Sequence, residues 1–357
     1  MKIIHTGDIH IGAFRGGLPK EKAALRRSEI TDGFRRLCIF ARENGVAAVL
    51  IAGDLFDSAS VLQSEKAAVL SAIENAKPTA FFYVSGNHDT DALDGQVLPD
   101  NMYRFDKNYG WASYEIGENI CVTGMDTKYF SDRTFAALSL RAEKTNIVLL
   151  HGDITSGTKE SIPLAALQNR GVDYLALGHI HKPDVQALRL DSRGVYRYCG
   201  CLEGRGFDEV GERGFFLLDI QGRSLREKFY TLSTRKVVEV RVDISACQNY
   251  YDVENAVLSA SKDTDAKHVV KIVLCGRYTE RLKKDVSLLE VRLSERFFAI
   301  RIVDESRLVP DGTLSENDRS ERAEFIREVA KYEWDEKFRD EILEVGLKAL
   351  AGEDIDL

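Results

Sequence analysis

Val46-Ala47-Ala48-Val49-Leu50-Ile51-Ala52-Gly53-Asp54-Leu55-Phe56-Asp57 decides the fold. The run from Val46 to Ala52 is too short for a helix and has no polar face, as expected of a central strand buried on both sides. It stops at a glycine, which lets the chain turn sharply, and the turn carries Asp54 and then Asp57. The same grammar recurs along the first half of the chain. Residues 2–7 read as a strand ending at Asp8-Ile9-His10, and residues 79–84 as one ending at Gly86-Asn87-His88-Asp89. Asn146 to Leu150 runs into His151-Gly152-Asp153, and Val172 to Leu177 into Gly178-His179-Ile180-His181. Ile120 to Thr123 is a further short apolar run. Helices expected over 21–43 and 64–76 alternate with the first strands. Such alternation implies an open α/β sheet, whose sites form at the carboxyl ends of strands. Five strand ends far apart in sequence would then meet in one crevice.

The side chains at those ends are metal ligands by type. Five of the seven histidines sit in these motifs, interleaved with aspartates; His5 and His268 stand outside them. Asp8, His10, Asp54, Asn87, His151, His179 and His181 make a candidate set too large for one tetrahedral ion and suited to two ions sharing a bridge. Asp54, at the end of the most apolar strand, is placed to be that bridging carboxylate. The mixture of imidazole, carboxylate and amide favours manganese, with iron or zinc as competitors. Two such ions about 3.5–4 Å apart can activate water, offset phosphoryl charge and stabilise a leaving oxygen. His88 lies outside the ligand set and is the candidate catalytic acid. A carboxylate should orient it, either Asp57 or Asp89, with Asp57 preferred.

Composition sets the frame. The apolar fraction of 44% and charged fraction of 30% are those of a water-exposed globular protein. No run approaches the length of a membrane helix, and the polar motif at Asp8 leaves no room for a signal sequence, so a cytoplasmic protein without membrane partners is expected. The six cysteines are scattered and read as reduced thiols. The net charge of −8 is carried by residues 311–357, with 7 basic and 15 acidic side chains, while residues 1–234 hold 28 and 30. The near-neutral main body leaves nucleic acid open as a partner. Arg26, Arg27, Arg35 and Arg36 read as a solvated helix face.

After residue 183 the pattern shortens to β-like segments at 184–190, 194–199, 214–220 and 226–231, expected to form hairpins that complete a second sheet. Residues 236–244, 269–274 and 297–303 read as strands, with helices expected over 252–261 and 279–295. That order predicts a small α+β domain. Pro310-Asp311-Gly312 reads as a linker, and 316–351 as two acidic amphipathic helices. The expected domains are therefore 1–234, 235–310 and a helical tail, 311–357.

The ordered set Asp-x-His, Gly-Asp-x-x-Asp, Gly-Asn-His-Asp, His-Gly and Gly-His-x-His resembles the calcineurin-like metallophosphoesterases. Within them it is most similar to nuclease subunits of the SbcD type and to the shorter YhaO-like DNA-repair exonucleases. Thr6 to Gly12, Ala52 to Asp57 and Leu202 to Glu209 carry that likeness. The resemblance covers roughly residues 1–230. It implies a four-layer α/β/β/α sandwich, with 235–310 as a small α+β cap that positions DNA. It also implies that Asp8, His10, Asp54 and His181 hold one ion, and Asp54, Asn87, His151 and His179 the other. His88 takes the acid or transition-state role. The implied activity is DNA phosphodiester hydrolysis in repair, 3′-to-5′ exonucleolytic with some endonuclease activity; the alternative is a phosphodiesterase of nucleotides or other small esters. Implied partners are DNA, a coiled-coil ATPase docked on the tail helices, and a second copy of the chain. Arg205, in its glycine-flanked loop, is the candidate DNA contact. Ser58-Ala59-Ser60 after Asp57 departs from the Arg-Gly of the protein-phosphatase branch, which lowers the expectation of phosphoprotein substrates.

Overall fold

Alternation along each central strand sorts its side chains between two cores. In the computed structural model, which describes all residues except 14–17, 59–60, 106–109, 156, 280, 311–317, 351 and 353–357, the chain divides into two compact units, Met1–Lys236 and Val237–Leu357. The first unit runs β1 (Lys2–Thr6), α1 (Lys20–Glu43), β2 (Ala48–Ala52), α2 (Gln63–Asn75), β3 (Ala80–Val84), β4 (Met102–Arg104), β5 (Ala112–Ile116), β6 (Ile120–Gly124), α3 (Asp132–Ala136), β7 (Thr145–His151), α4 (Leu164–Leu167), β8 (Tyr174–Gly178), β9 (Leu188–Arg189), β10 (Val195–Tyr198), β11 (Gly214–Gln221) and β12 (Ser224–Thr231). Two six-stranded sheets result, ordered β12-β11-β1-β2-β3-β4 and β5-β6-β7-β8-β10-β9.

Every residue of β2 is buried. Val49 and Ile51 face a core shared with Ile30, Phe34 and Leu37 of α1 and Val69 and Ile73 of α2. Leu50 and Ala52 face a second core shared with Ile147 and Leu149 of β7 and Tyr174 and Ala176 of β8. The intervening Val148, Leu150, Leu175 and Leu177 face a third, with Phe135 of α3 and Leu167 of α4. Helices, sheet, sheet and helices thus form four layers, because period-two side chains on a strand buried on both sides must find two partners.

Two expectations change. The last hairpin, β11–β12, does not join the second sheet; it pairs antiparallel with β1 in the first. Phe215 of β11 fills the helix-side core, while Phe216, Leu218 and Ile220 fill the intersheet core, so this hairpin satisfies the free edge of β1. Arg26 is not on a solvated face either. It is buried between Glu29 and Glu203, at 2.9 and 3.0 Å, and Arg27 is paired with Glu65.

The second unit holds β13 (Val237–Asp243), α5 (Tyr250–Ala260), β14 (Val269–Cys275), β15 (Arg277–Thr279), α6 (Val286–Leu293), β16 (Ala299–Asp304), β17 (Arg307–Val309), α7 (Glu321–Val329) and α8 (Glu336–Leu350). Its main sheet is parallel, ordered β13-β14-β16. The helix expected over 279–295 is confined to α6, capped by Asp285, whose carboxylate accepts from Leu288 N at 2.8 Å. Asp311 and Gly312 of the expected linker lie outside the described residues. The helices beyond it pack on this unit's own core, where Leu347 of α8 and Phe325 and Ile326 of α7 meet Val242 and Ile272. Among the described residues no helix is long and apolar enough to cross a membrane, and all six cysteines are free.

Candidate metal centre

Three of the strand-end residues hold left-handed backbone: Asp8 at φ 49°, His10 at 50° and Asp54 at 48°; His179, at 103°, also has positive φ. Non-glycine residues there cost of order 1–3 kcal/mol each and persist only where the surroundings over-determine them. Here the β1 and β2 loops are laced together. Asp8 N donates to Gly53 O at 3.1 Å, His10 N to Asp54 O at 2.9 Å, Ile11 N to Leu55 O at 2.9 Å and Asp57 N to Ile11 O at 3.0 Å. Two glycines are sterically required beside them. A Cβ at Gly53 would enter the His151 imidazole, and one at Gly86 the Asp54 carboxylate. Asp89, fully buried, ties the next loop in by accepting from Gly86 N at 2.8 Å and Phe56 N at 3.1 Å. Its pKa is raised to about 7, by burial first and then by Asp54.

These constraints bring the expected side chains together. Asp8, His10 and His181 present ligand atoms within 4.8 Å of one another, as do Asp8, Asp54 and His151, and so do His10, Asp57 and His88. Asp54 Oδ2 stands 3.5 Å from His10 Nε2 and 3.5 Å from His151 Nε2, while Asp54 Oδ1 accepts from His88 N at 3.0 Å. Asn87 Oδ1 lies 3.0 Å from His151 Nε2. His179 donates its main-chain N–H to Asp8 at 2.9 Å, and its ring centroid is 5.2 Å from that of His151.

The donor set fits a cation. His151 Nδ1 faces the Ala52 carbonyl at 2.9 Å, an acceptor only, so Nδ1 carries the proton. Burial lowers the pKa of this imidazole; the ring is neutral and its Nε2 is a bare lone pair aimed at two oxygens. His10 repeats the pattern. Its Nδ1 meets the Asp57 carboxylate at 3.1 Å, burial lowers its pKa to about 4, and its buried Nε2 has no hydrogen-bond partner. Asp8 is pushed well above the usual carboxylate range by burial and then by the neighbouring Asp54. Lone pairs and carboxylates facing one another in a dry site are satisfied together by divalent cations.

Two roles differ from those the sequence suggested. The Asp57 carboxylate does not orient His88; His88 Nδ1 pairs with the Asp57 main-chain carbonyl at 3.0 Å. The carboxylate turns instead to His10 and to Arg205, whose Nη1 donates to it at 3.2 Å; together they hold its pKa down. Arg205, expected on a DNA surface, turns inward with its side chain 8% exposed. Glu209 and Asp126 had been given no role. Glu209 meets His181 Nδ1 at 2.7 Å, and its pKa falls to about 2 because the bonds from His181 and Arg205 outweigh burial. Asp126 accepts from Ser85 N at 2.7 Å. The one hint of Asp126 in the sequence is Gly124-Met125-Asp126 closing a strand as Gly53-Asp54 does.

Comparison with known proteins matches residues 1–183 to the calcineurin-like phosphoesterase family. The DNA double-strand break repair protein Mre11 of Aeropyrum pernix is 25% identical over 308 residues, covering 76% of this chain and 73% of that protein. Mre11 of Haloferax volcanii is 25% identical over 360 residues, covering 98% and 75%. The uncharacterised metallophosphoesterase YhaO of Bacillus subtilis is 24% identical over 305 residues, covering 79% and 73%.

Proposed function

Since the chain belongs to the calcineurin-like phosphoesterase family, a family of metal-dependent hydrolases, we propose that it is a manganese-dependent DNA phosphodiesterase of DNA repair, a 3′-to-5′ exonuclease with endonuclease activity. The observation that carries this reading is the position of Asp54 Oδ2, equidistant from imidazoles of two different loops, in a chain similar over most of its length to proteins named for double-strand break repair. Asp8, His10, Asp54 and His181 would hold one ion; Asp54, Asn87, His151 and His179 would hold the other. When bound, the pair supplies an activated water and neutralises phosphoryl charge.

The protein's own side chains do the rest. His88 is exposed at the mouth of the site, and its Nδ1–H on the Asp57 carbonyl leaves Nε2 free; in the imidazolium form Nε2–H would hand its proton to the departing 3′ oxygen, leaving the ring neutral with Nδ1–H still on the carbonyl. Asn87 adds an oxygen without adding negative charge, which keeps the loaded centre attractive to a phosphodiester. Residues 235–310 serve as the cap that positions DNA. The acidic tail, with Trp334 between its two helices and Phe338 and Val345 on α8 exposed, is the surface for a coiled-coil ATPase partner.

Incubation of purified protein and manganese with DNA labelled at either end tests this, with Asp54→Ala and His88→Ala as controls. Release of nucleotides from the 3′ end by the wild type alone is expected. Equal inactivity of wild type and variants on DNA removes the nuclease reading. Turnover of bis-p-nitrophenyl phosphate without DNA cleavage moves the assignment to small phosphodiesters.

A further inference from the structure

The two halves of the centre are backed differently. His151 rests its Nδ1 on a neutral main-chain carbonyl, Ala52 O. His10 and His181 each rest Nδ1 on a carboxylate, Asp57 at 3.1 Å and Glu209 at 2.7 Å. One guanidinium joins those carboxylates: Arg205 reaches Asp57 Oδ1 through Nη1 at 3.2 Å and Glu209 Oε1 through Nη2 at 3.5 Å, and the same Nη2 lies against the His181 ring, 2.9 Å from Nδ1. The Arg205 main-chain N–H also donates to Glu209 Oε2, at 2.5 Å. Arg205 and Glu209 are 8% and 6% exposed at the side chain, so water screens little of this.

The loop that carries Arg205 is itself pinned. Gly204 O accepts from Arg26 Nη2. The neighbouring Glu203, with a fully buried side chain, accepts from Arg26 and Arg36 at 3.0 Å each and from Thr234 N at 2.8 Å. These contacts fix the backbone that aims Arg205 towards Asp57 and Glu209.

We propose that Asp57, Arg205 and Glu209 form an outer brace whose members are positioning residues for His10 and His181. On this account the brace sets the affinity of one of the two metal positions and leaves the other to His151. The proposal rests on the two-ion reading above. A carboxylate behind a ligating imidazole fixes its tautomer and raises its basicity, and removing one typically costs 10–100-fold in metal affinity. A guanidinium spans two carboxylates through its planar fork, a geometry that the compact lysine ammonium does not reproduce. Arg205 thus holds both carboxylates on their imidazoles at once. The protein would load its ions unequally, the braced position filling first.

Titration calorimetry of the full chain with manganese tests this directly. Wild type should show two binding steps. Glu209→Gln keeps an oxygen for the His181 N–H but removes the charge; it should weaken one step about 10–100-fold and leave the other within about threefold. Arg205→Lys keeps the charge and loses the planar fork. It should weaken the same step, and it keeps the test open if Glu209→Gln does not fold, as judged by circular dichroism. If both steps stay within threefold in the folded variants, or both fall together, the brace is overturned while the two-ion centre stands. If wild type itself binds fewer than two ions, the centre fails and the brace with it.

Discussion

Asp54 Oδ2 and His10 Nε2 stand 3.5 Å apart, both buried, with His10 Nε2 lacking any hydrogen-bond partner. The same oxygen is equally distant from His151 Nε2. A carboxylate oxygen equally distant from imidazole nitrogens of two loops is the arrangement that the proposed bridging role of Asp54 requires.

Asp54→Asn should therefore disturb both metal positions at once. It keeps the side chain's shape and the acceptor for His88 N but removes the bridging charge. Phosphodiester turnover should fall by more than about a hundredfold, beyond the loss expected of an outer-shell change. Metal content by mass spectrometry after manganese loading should drop with it. Full metal content in this variant would deny Asp54 the bridging role.

His88→Ala should separate chemistry from metal binding. Manganese content should match wild type, while kcat falls about 10²–10⁴-fold, the usual worth of a general acid. The defect should be large for alkyl leaving groups and small for p-nitrophenyl esters, which depart without a proton. An equal loss on both substrates would show that His88 is not the acid.

Gly86→Ala places a methyl group in the Asp54 carboxylate, so it should lower both stability and metal content. Overpacking of this kind costs about 1–3 kcal/mol. Gly95→Ala is the control for metal content: its φ is 73°, but its Cβ would meet nothing within 4 Å. It should carry only the left-handed backbone penalty of about 1–2 kcal/mol, leaving metal content unchanged. Thermal melts and metal analysis of the two variants decide the matter; identical metal content would mean the close approach at Gly86 is not needed.

His5 predicts a pH dependence of stability. It is fully buried beside the Tyr174 hydroxyl at 3.0 Å, and burial lowers its pKa from 6.5 to about 3. Between those values the unfolded chain binds a proton that the folded one refuses. The stability is complete above pH 6.5 and declines as pH falls towards 3. At pH 5 the loss from this residue is about 2 kcal/mol, at 1.36 kcal/mol per pH unit. Denaturant unfolding of wild type and His5→Phe at pH 7 and pH 5 checks it. The variant should lose about 2 kcal/mol less over that interval, and parallel losses would exonerate His5.

The α/β architecture and the metal-ligand types were legible in the chain itself, because both are local. An apolar run such as Val46 to Ala52 cannot be solvated on either face, and the residue types at its end are those that bind divalent ions. Asp8, His10, Asp54, Asn87, His151, His179 and His181 could be named as candidates without coordinates, for convergence at strand ends is expected of such a sheet. What stands behind each ligand depended on tertiary structure. Asp57 carries a carboxylate and a carbonyl close together, and no pattern tells which one meets His88. Arg205 reads as a surface arginine until the buried Glu203 and the turn through Gly204 direct it inward, and Glu209 gains its role only by lying beside His181. Likewise the β11–β12 hairpin chose the edge of β1 over the second sheet, a choice made by which open edge and which two cores its phenylalanines could fill. Side-chain type is written residue by residue, but a hydrogen-bond partner is selected by distance, and distances across the chain exist only once it has folded.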